Sequence, residues 1–573
     1  MKLTAVSKTV NEILSRNSFY DIPRNQRKYV WEKEQLSQLY EDIFINEDGV
    51  NHFMGCIVLE ENNNDNGDYY NIIDGQQRLT TFSLLLLSIS KIMFECNDDK
   101  KAMSNKKYIV GDIDGEEINK VHIEDSYLSI IIDGVFLKLD NDGIKEKIKY
   151  SGLKNDKYNK KVLDAYLFFY NRLMQDLENL SLTNKMKKLL ELKNKVLSVN
   201  VVEIIAPYDD NATVGYRIFE VLNARGIPLE QHELIKNYIF KYKKKKKNSK
   251  NDSAKKQWEN IVNNLVNEYN DNMSNFFSHY IIHKYGIKSS KKGEFEAIKE
   301  NCHKEKVDSL LLDLVKKSNY YSVICDPSKD STLPFLSKNV INALKFFKDM
   351  NIRQIRPVLL SLFNCVDSGL ISQTVLDDFI KYLESFYFIY VVLAKNKTNN
   401  LENIICNYAY KLENEFNSKV IEEFMNSLSK YKISYESFEN YFCDIGYSKK
   451  NAKFKNSSNK KVVFYILKKI EIYYNTENDY DLNKFSIEHI KCDDEETDEI
   501  AKIGNLLPLS EKRNNKISNA TFDTKVEQYK KSNLLTVKKF LTNYSTKKVW
   551  DESDIINRTK KIANMCYKNV WPL

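Results

Sequence analysis

The stretch NIIDGQQRLTTFSLLLL, residues 71–87, decides how the first half of the chain is read. An apolar pair runs into Asp74, Gly75, Gln76, Gln77 and Arg78, and a long apolar segment follows at once. Glycine is scarce, 16 in 573 residues, so one placed between an acid, two amides and an arginine marks a backbone requirement. The pattern predicts strand, tight turn, helix. Gly75 lets backbone N–H groups approach a ligand closely, and the free N–H groups of a new helix attract anions. Gln76, Gln77 and Arg78 add neutral and cationic donors, while Asp74 suits a metal or a water to be oriented. A plain turn with a helix cap accounts for the same five residues, and on residue chemistry alone both readings stand.

Working outward, FMGCIVL (53–59) and YYNII (69–73) predict short strands flanking a polar turn at 61–68, and residues 79–95 carry helical periodicity. LLLLSISKIMF (84–94) is the most apolar stretch; it contains Lys91 and is too short for a membrane span, so it predicts a buried helix. YLSIIID (127–133) is strand-like, helices fill 159–198, and NVVEIIA (200–206) predicts another buried strand. A helix over 213–225, with Gly226 as its cap and Pro228 beyond, precedes a second from near Leu229. KYKKKKKNSK (241–250) closes the first domain as a solvated helix end or linker, a phosphate contact being the alternative. From 255 to about 435 the chain is helical and aromatic-rich. His279 and His283 stand at i, i+4 without an accompanying HExxH glutamate, so they are read as core or surface histidines.

Sixteen glycines and eight prolines favour a mostly helical fold, since all-β chains need many turns. A hydrophobic content of 42% with 29% charged residues fits a soluble globular protein of two to four domains. No secretory or membrane-spanning segment is found, and nine cysteines without CxxC spacing argue against a zinc knuckle or a disulfide framework. A cytoplasmic protein without membrane contact is the expectation. The formal charge of +8 permits nucleic-acid binding without demanding it. Of 87 basic residues only 11 are Arg, and five of these (Arg24, Arg27, Arg78, Arg217, Arg225) fall in three short stretches of the first 230 residues. Arg holds phosphates and carboxylates bidentately, so such clustering is informative.

The second stretch, IPRNQRKYVWEKEQLSQLYEDI (22–43), pairs an extended piece with a helix marked by Gln35, Leu36, Leu39 and Ile43. The third is RIFEVLNARGIPLEQHELIKNYIF (217–240), with Asn223 and Arg225 at a helix end. At the other end of the chain, FSIEHIKCDDEETDEIAKIGNLLPLSEKRNNKISN (485–519) holds the only histidine after residue 303. A strand ends in Glu488-His489, a loop follows, Gly504-Asn505 opens an apolar segment, and Asn514 lies nine residues beyond Asn505. This is the layout of a ββα-metal, or HNH, nuclease site. Phosphodiester hydrolysis needs a base to deprotonate water and a hard cation for the charge on the leaving oxygen. His489 would be the base, Glu488 and Asn514 metal ligands, and Asn505 the residue that bridges the loop and positions the base. An ordinary Glu-His pair at a strand end is the competing reading.

Taken together, the three N-terminal stretches resemble the N-terminal domain of the GmrSD-type restriction endonucleases, a ParB-like domain with a DGQQR signature. That resemblance covers about residues 5–240 and implies a nucleotide pocket that binds and hydrolyses an NTP. Asp74, Gly75, Gln76, Gln77 and Arg78 would form its loop, with Arg27, Tyr29, Trp31, Gln35, Asn223 and Arg225 in support. Asn25 stands where many relatives carry an aromatic residue. The segment IEHI…IGNLLPL…N…SN..F..K, with Asn519, Phe522 and Lys525, is similar to the C-terminal nuclease domain of the same family, as is the closing Trp550, Ile555, Arg558 pattern. It departs at Cys492, where relatives have Pro, inside the acidic loop KCDDEETDE (491–499), whose acids could repel DNA or bind extra metal. Lys512, Arg513, Lys516 and Lys525 supply positive charge for DNA phosphates.

The fold expected is predominantly helical α+β: a ParB-like α/β domain (1–245), a helical middle region (246–438) and a small ββα-metal (HNH) nuclease domain (439–573). The function implied is anti-phage restriction. An NTP-dependent head would regulate a DNA endonuclease or nickase that uses Mg²⁺ or a similar divalent metal, with modified phage DNA a candidate target. Two alternatives stand beside it: a nucleotide-sensing DNA-binding switch whose nuclease head is inactive, and an RNA-directed toxin nuclease. NTP base preference and self-association are left open.

Overall fold

The computed structural model describes residues 4–573 apart from 24–25, 27, 46–52, 63–67, 154, 208–229, 244–251, 267–271, 289–292, 329–332, 475–484, 494–496 and 518. Two compact units divide the chain, Met1–Lys256 and Gln257–Leu573. Both mix helix with short strands, and helix predominates.

The first unit is built on a six-stranded mixed sheet. Its members are β1 (Thr4–Thr9), β2 (Ser18–Asp21), β3 (Phe53–Glu61), β4 (Asp68–Asp74), β7 (Val121–His122) and β8 (Asn200–Ala206), in the order β1-β8-β3-β4-β2-β7. A separate hairpin, β5 (Val110–Ile113) with β6 (Glu116–Asn119), stands apart from it. The expected strands at 53–59, 69–73 and 200–206 are therefore all present. Strand β3 explains its own continuous apolar run. Ile57 and Leu59 face the main core, whereas Val58 faces a second cluster with Ile73, so both faces are covered.

Three helices follow the sheet's first strands: α1 (Val10–Ser15), α2 (Lys33–Phe44) and α3 (Gln76–Glu95). Of the 20 residues of α3, only Arg78 and Glu95 are not buried. A helix that is apolar all round belongs in a core, and α3 is packed by the helices Lys157–Leu177 and Leu182–Ser198. Its polar side chains are satisfied from within. Thr81, Ser83, Ser88 and Ser90 each donate to the carbonyl four residues back, at 2.7–3.1 Å. Lys91, which marked this stretch as a protein core and not a membrane span, pairs with Glu95 at 3.0 Å. Among the described residues no helix is long and apolar enough to cross a membrane.

One expectation fails. YLSIIID is not a strand but the start of the helix Tyr127–Phe136, capped by Ser126 Oγ, which accepts from the Leu128 N–H at 3.3 Å. A short apolar run has no period that separates strand from buried helix, and the cap was the discriminating signal. The expected helix over 213–225 lies outside the described residues; the one beyond it spans Gln231–Tyr242.

Among its described residues the second unit is mostly helical, with a hairpin of β9 (Phe485–His489) and β10 (Leu506–Ser510), paired antiparallel. The helices Glu511–Ile517, Phe522–Tyr529, Leu535–Tyr544 and Glu552–Met565 follow it. Ile490, Leu507, Leu509, Tyr529, Phe540 and Trp550 share its core. His279 and His283 are core histidines. The first contacts Tyr321 OH at 2.7 Å and is driven by burial down to about 3, and the second is fully buried beside Glu413. All nine cysteines are free thiols.

Truncating Leu86 to Ala in α3 should destabilise the first unit by about 3 kcal/mol, read from denaturant-dependent hydrogen exchange of the α3 amides. A loss below about 0.5 kcal/mol would mean that this helix is not the core element.

Candidate functional site

Two constellations are candidates, one in each unit. In the first, β4 ends at Asp74, and Gly75 turns the chain with φ 93° and ψ 4° into α3. This left-handed conformation favours glycine, and a Cβ here would also lie 3.0–3.2 Å from Ile57 and the Cys56 carbonyl. Glycine is thus required at this turn twice over, by torsion and by crowding. The first N–H groups of α3 have no intrahelical partner and point to the side from which the strand arrives.

The side chains of the signature are largely committed to structure. Gln77 Oε1 accepts from the Val30 N–H at 2.9 Å, and its Nε2 donates to the Lys28 carbonyl at 3.2 Å. Between them Tyr29, buried, donates through its hydroxyl to Thr81 Oγ1 at 2.8 Å. Arg78 donates through Nη1 to the Met54 carbonyl at 2.8 Å, tying the helix to β3, and its Nη2 stands 3.5 Å from Asp74 Oδ2. Gln76 is buried at the same turn. Asp74 and Arg78 remain partly exposed and are the charged groups of the turn. Trp31 is half-buried against the core, whereas Gln35 is exposed and its Oε1 caps α2 by accepting from the Glu32 N–H at 2.9 Å. Gln35 therefore serves its own helix. Arg27, Asn223 and Arg225 lie outside the described residues.

In the second unit, alternation along β9 sends its last two side chains to opposite faces. Glu488 enters the core, 3% exposed, where Oε1 accepts from Lys525 Nζ at 2.8 Å and Tyr529 OH at 2.9 Å. Burial pushes its carboxyl up, against the pull of the Lys525 charge. His489 turns the other way, 8% exposed, with Nε2 at 2.8 Å from the Tyr447 carbonyl. A carbonyl can only accept, so Nε2 carries the proton and Nδ1 keeps its lone pair. Burial holds this imidazole below its ordinary pKa, which keeps it neutral.

Asn505 is fully buried and closes the loop after His489. Its Oδ1 accepts from the Lys491 N–H at 2.7 Å, and Nδ2 donates to the Lys491 and Ile500 carbonyls at 2.9 and 2.8 Å. Gly504 beside it has no room for a Cβ, which would meet the Ile555 carbonyl at 2.1 Å. Arg558, buried and pushed down to about 10 by desolvation, donates to the carbonyls of Gly504 and Leu506. Asn514, on the helix Glu511–Ile517, donates to Ser486 Oγ at 2.8 Å and the Ile487 carbonyl at 3.1 Å. Its Oδ1 makes no hydrogen bond among the described residues.

Two expected roles change here. Lys525 is 1% exposed and donates to Glu488 and the His489 carbonyl, so it braces the strand end and does not reach a phosphate. Glu488 is neutralised by that ammonium, which leaves it a poor ligand for a second cation; Asn514 is the better-placed oxygen donor of the expected pair. Among the described residues no three His, Cys, Asp or Glu side chains converge as a metal cage. Lys512 and Lys516 are exposed and Arg513 half-exposed on the helix that packs on β9. Sequence reasoning missed Tyr447, Ser448 and Tyr529. Tyr447 contributes through its backbone carbonyl, which leaves no side-chain signal. Asp493, in the acidic stretch, is held as well: it accepts from Ser448 OH at 2.6 Å and the Lys449 N–H at 2.7 Å.

Comparison with known families finds two matches. Residues 7–240 match the family described as GmrSD restriction endonuclease, N-terminal domain, and residues 435–565 that described as GmrSD restriction endonucleases, C-terminal domain. No curated protein matches the chain.

Replacing Lys525 by Met keeps its bulk and strands the buried Glu488 carboxylate, which should cost the second unit about 3 kcal/mol. Lys512→Ala, at an exposed site, should stay within about 0.5 kcal/mol in the same denaturation assay. Equal effects would mean that Lys525 is a surface residue after all.

Proposed function

Because the chain belongs to the GmrSD family of restriction endonucleases, we propose that its first unit binds and hydrolyses a nucleoside triphosphate and that its second cuts phage DNA. Membership of a restriction endonuclease family makes DNA the substrate; modified DNA is the target class proposed. The first unit is read as a ParB-like head, in which the α3 N-terminus and Arg78 receive the phosphates while Asp74 orients water or metal. The second is read as an HNH-type nuclease.

The observation that carries the nuclease reading is His489, a neutral imidazole with Nε2–H fixed on the Tyr447 carbonyl and Nδ1 unengaged among the described residues. Nδ1 would take a proton from a water as the latter attacks phosphorus. Asn505 fixes the loop that follows, and the Glu488–Lys525–Tyr529 cluster fixes the strand end, so the imidazole does not have to be ordered during the reaction. A divalent cation such as Mg²⁺ would be held by Asn514 and by oxygens of the DNA itself, and when bound it supplies charge stabilisation at the leaving oxygen. Lys512, Arg513 and Lys516 would meet the neighbouring phosphates.

The neutralisation of Glu488 favours one competing reading, a nucleotide-sensing switch that binds DNA without cutting it. Incubating duplex DNA, single strands and RNA with the full chain and Mg²⁺, Mn²⁺ or Ca²⁺ separates the readings. Binding without cleavage in every metal would establish the switch, and cleavage of RNA alone would establish a toxin nuclease.

His489→Ala should lower DNA cleavage by about 10²–10⁴-fold and leave NTP turnover unchanged. Undiminished cutting by that variant would sink the nuclease assignment.

The pH dependence follows from the direction of the His489 shift. Its folded pKa lies below the ordinary 6.5, so the stability it contributes is present above 6.5 and is lost as pH falls through the folded value. Cleavage needs the same neutral form, and its acidic limb should inflect below 6.5. An inflection above 6.5 would point to another base.

A further inference from the structure

Between the helices Tyr435–Cys443 and Ser457–Tyr474 runs an irregular loop, residues 446–456, which delivers the Tyr447 carbonyl to His489. Irregular segments are ordinarily the mobile part of a surface. This one is fastened along its length. Gly446 bridges to Lys502, and the Tyr447 N–H donates to the Ala501 carbonyl at 2.8 Å. A Cβ on Gly446 would meet that same carbonyl at 2.4 Å, so the two segments are in close contact. Ser448 Oγ donates to Asp493 at 2.6 Å and accepts from the Lys450 and Asn451 N–H groups at 2.9 and 2.8 Å. Asn451 donates to Asp498 at 3.1 Å, and Phe454 is 3% exposed.

Exposure along the loop is divided by residue type. Tyr447, Ser448, Asn451 and Phe454 are buried, whereas Lys449, Lys450, Lys453 and Lys455 are exposed, and no acid interrupts residues 446–456. Lys453 is paired with Asp498 at 2.6 Å. Lys449, Lys450 and Lys455 make no ion pair among the described residues. Asp493 takes its hydrogen bonds from the Ser448 hydroxyl and the Lys449 N–H, and Asp494, Glu495 and Glu496, next in sequence, lie outside the described residues. Lys449 is also near the imidazole. Burial first, and then the charges of Lys525 and Lys449, hold His489 below its ordinary pKa against the pull of Asp493. The loop is thus held by its buried residues, and three ammonium groups are left over beside the histidine.

We propose that Lys449, Lys450 and Lys455 form a second phosphate-binding edge of the nuclease, which holds the backbone of the DNA duplex beside His489. This edge rests on the reading of the second unit as a DNA nuclease, and it adds cations from a different segment to those on Glu511–Ile517. Ammonium groups spread along an exposed loop suit a polymer of phosphates better than one small anion. Because the backbone beneath them is already fixed, binding has only the lysine side chains to order. Phosphate contacts of this kind position the duplex and carry no base information.

The test is the salt dependence of binding to a labelled DNA duplex, measured by fluorescence anisotropy on the full chain in the His489→Ala background. Each lysine that neutralises a phosphate contributes about 0.9 to the slope of log K against log salt, so Lys449→Ala/Lys450→Ala/Lys455→Ala should lower that slope by about 2.7. Its deficit in affinity should then shrink about 40-fold between about 50 and 200 mM salt, whatever the duplex sequence. A second triple variant, Lys306→Ala/Lys419→Ala/Lys430→Ala, removes the same charge elsewhere in the second unit and should leave the slope unchanged. All six side chains are exposed, so both variants should fold, which circular dichroism checks. A slope unmoved by the loop variant, or moved equally by the other, would overturn the proposal and leave the nuclease reading to its own cleavage test. Failure of the parent to bind duplex DNA at all would overturn both.

Discussion

Helix α3 has no face turned to water, and the first unit is organised around that constraint. Its serines and threonines must return to the helix's own carbonyls, and its one buried charge must be answered within a turn, as Lys91 is by Glu95. The same burial determines what its N-terminus can be. A helix held on all sides cannot tilt to meet a ligand, so the turn before it has to be right as built. Gln77 and Arg78 bring this about by fastening the first turn to the 28–30 segment and to β3. The signature is therefore a set of clips before it is a set of contacts. Backbone N–H groups that cannot move are preorganised donors, the condition under which a helix end can bind an anion without an ordering cost.

The second unit solves a related problem with charge. Glu488 sits where desolvation disfavours its ionised form, and Lys525 with Tyr529 offsets that cost. The pair also donates from Lys525 to the backbone carbonyl of His489, which joins the core to the strand's final residue. Adjacent residues of one motif thus divide the labour. Glu488 anchors, His489 takes the opposite face beside Tyr447, and the two-residue period of a strand enforces the division.

How much of this was legible depended on where each signal was written. The strand–turn–helix at Asp74 was readable because glycine in a glycine-poor chain reports a torsion. The buried nature of residues 84–94 was readable because composition and length suffice for it. YLSIIID misled because a run of β-branched residues in a largely buried helix looks like a strand; the cap at Ser126 and the exposed pair Ser129 and Asp133, four residues apart, mark it as helix. Lys525 looked like a surface cation since most lysines are, and nothing local announces that Tyr529 and Glu488 will surround it. Tyr447 was invisible for a deeper reason. It acts on His489 through a main-chain oxygen 42 residues away, and any residue could supply that oxygen.

The departure at Cys492 is offset by hydrogen bonds from neighbouring segments. Where the family resemblance leads one to expect a proline, this chain has Cys492 and a run of acids, an arrangement that by itself suggests a loose and DNA-repelling edge. Asp493 and Asp498 are instead anchoring points. Asp493 is held by Ser448 and Lys449, Asp498 accepts from Asn451 at 3.1 Å and Lys453 at 2.6 Å, and Asn505 pins the loop at Lys491 and Ile500. Side-chain hydrogen bonds to a neighbouring segment do here what ring closure does elsewhere. A carboxylate engaged by a lysine and an amide also projects less free charge than one in water. Asp498 then opposes the positive face on Glu511–Ile517 less than a free carboxylate would, and the missing proline counts less against an active nuclease than the cation already seated on Glu488.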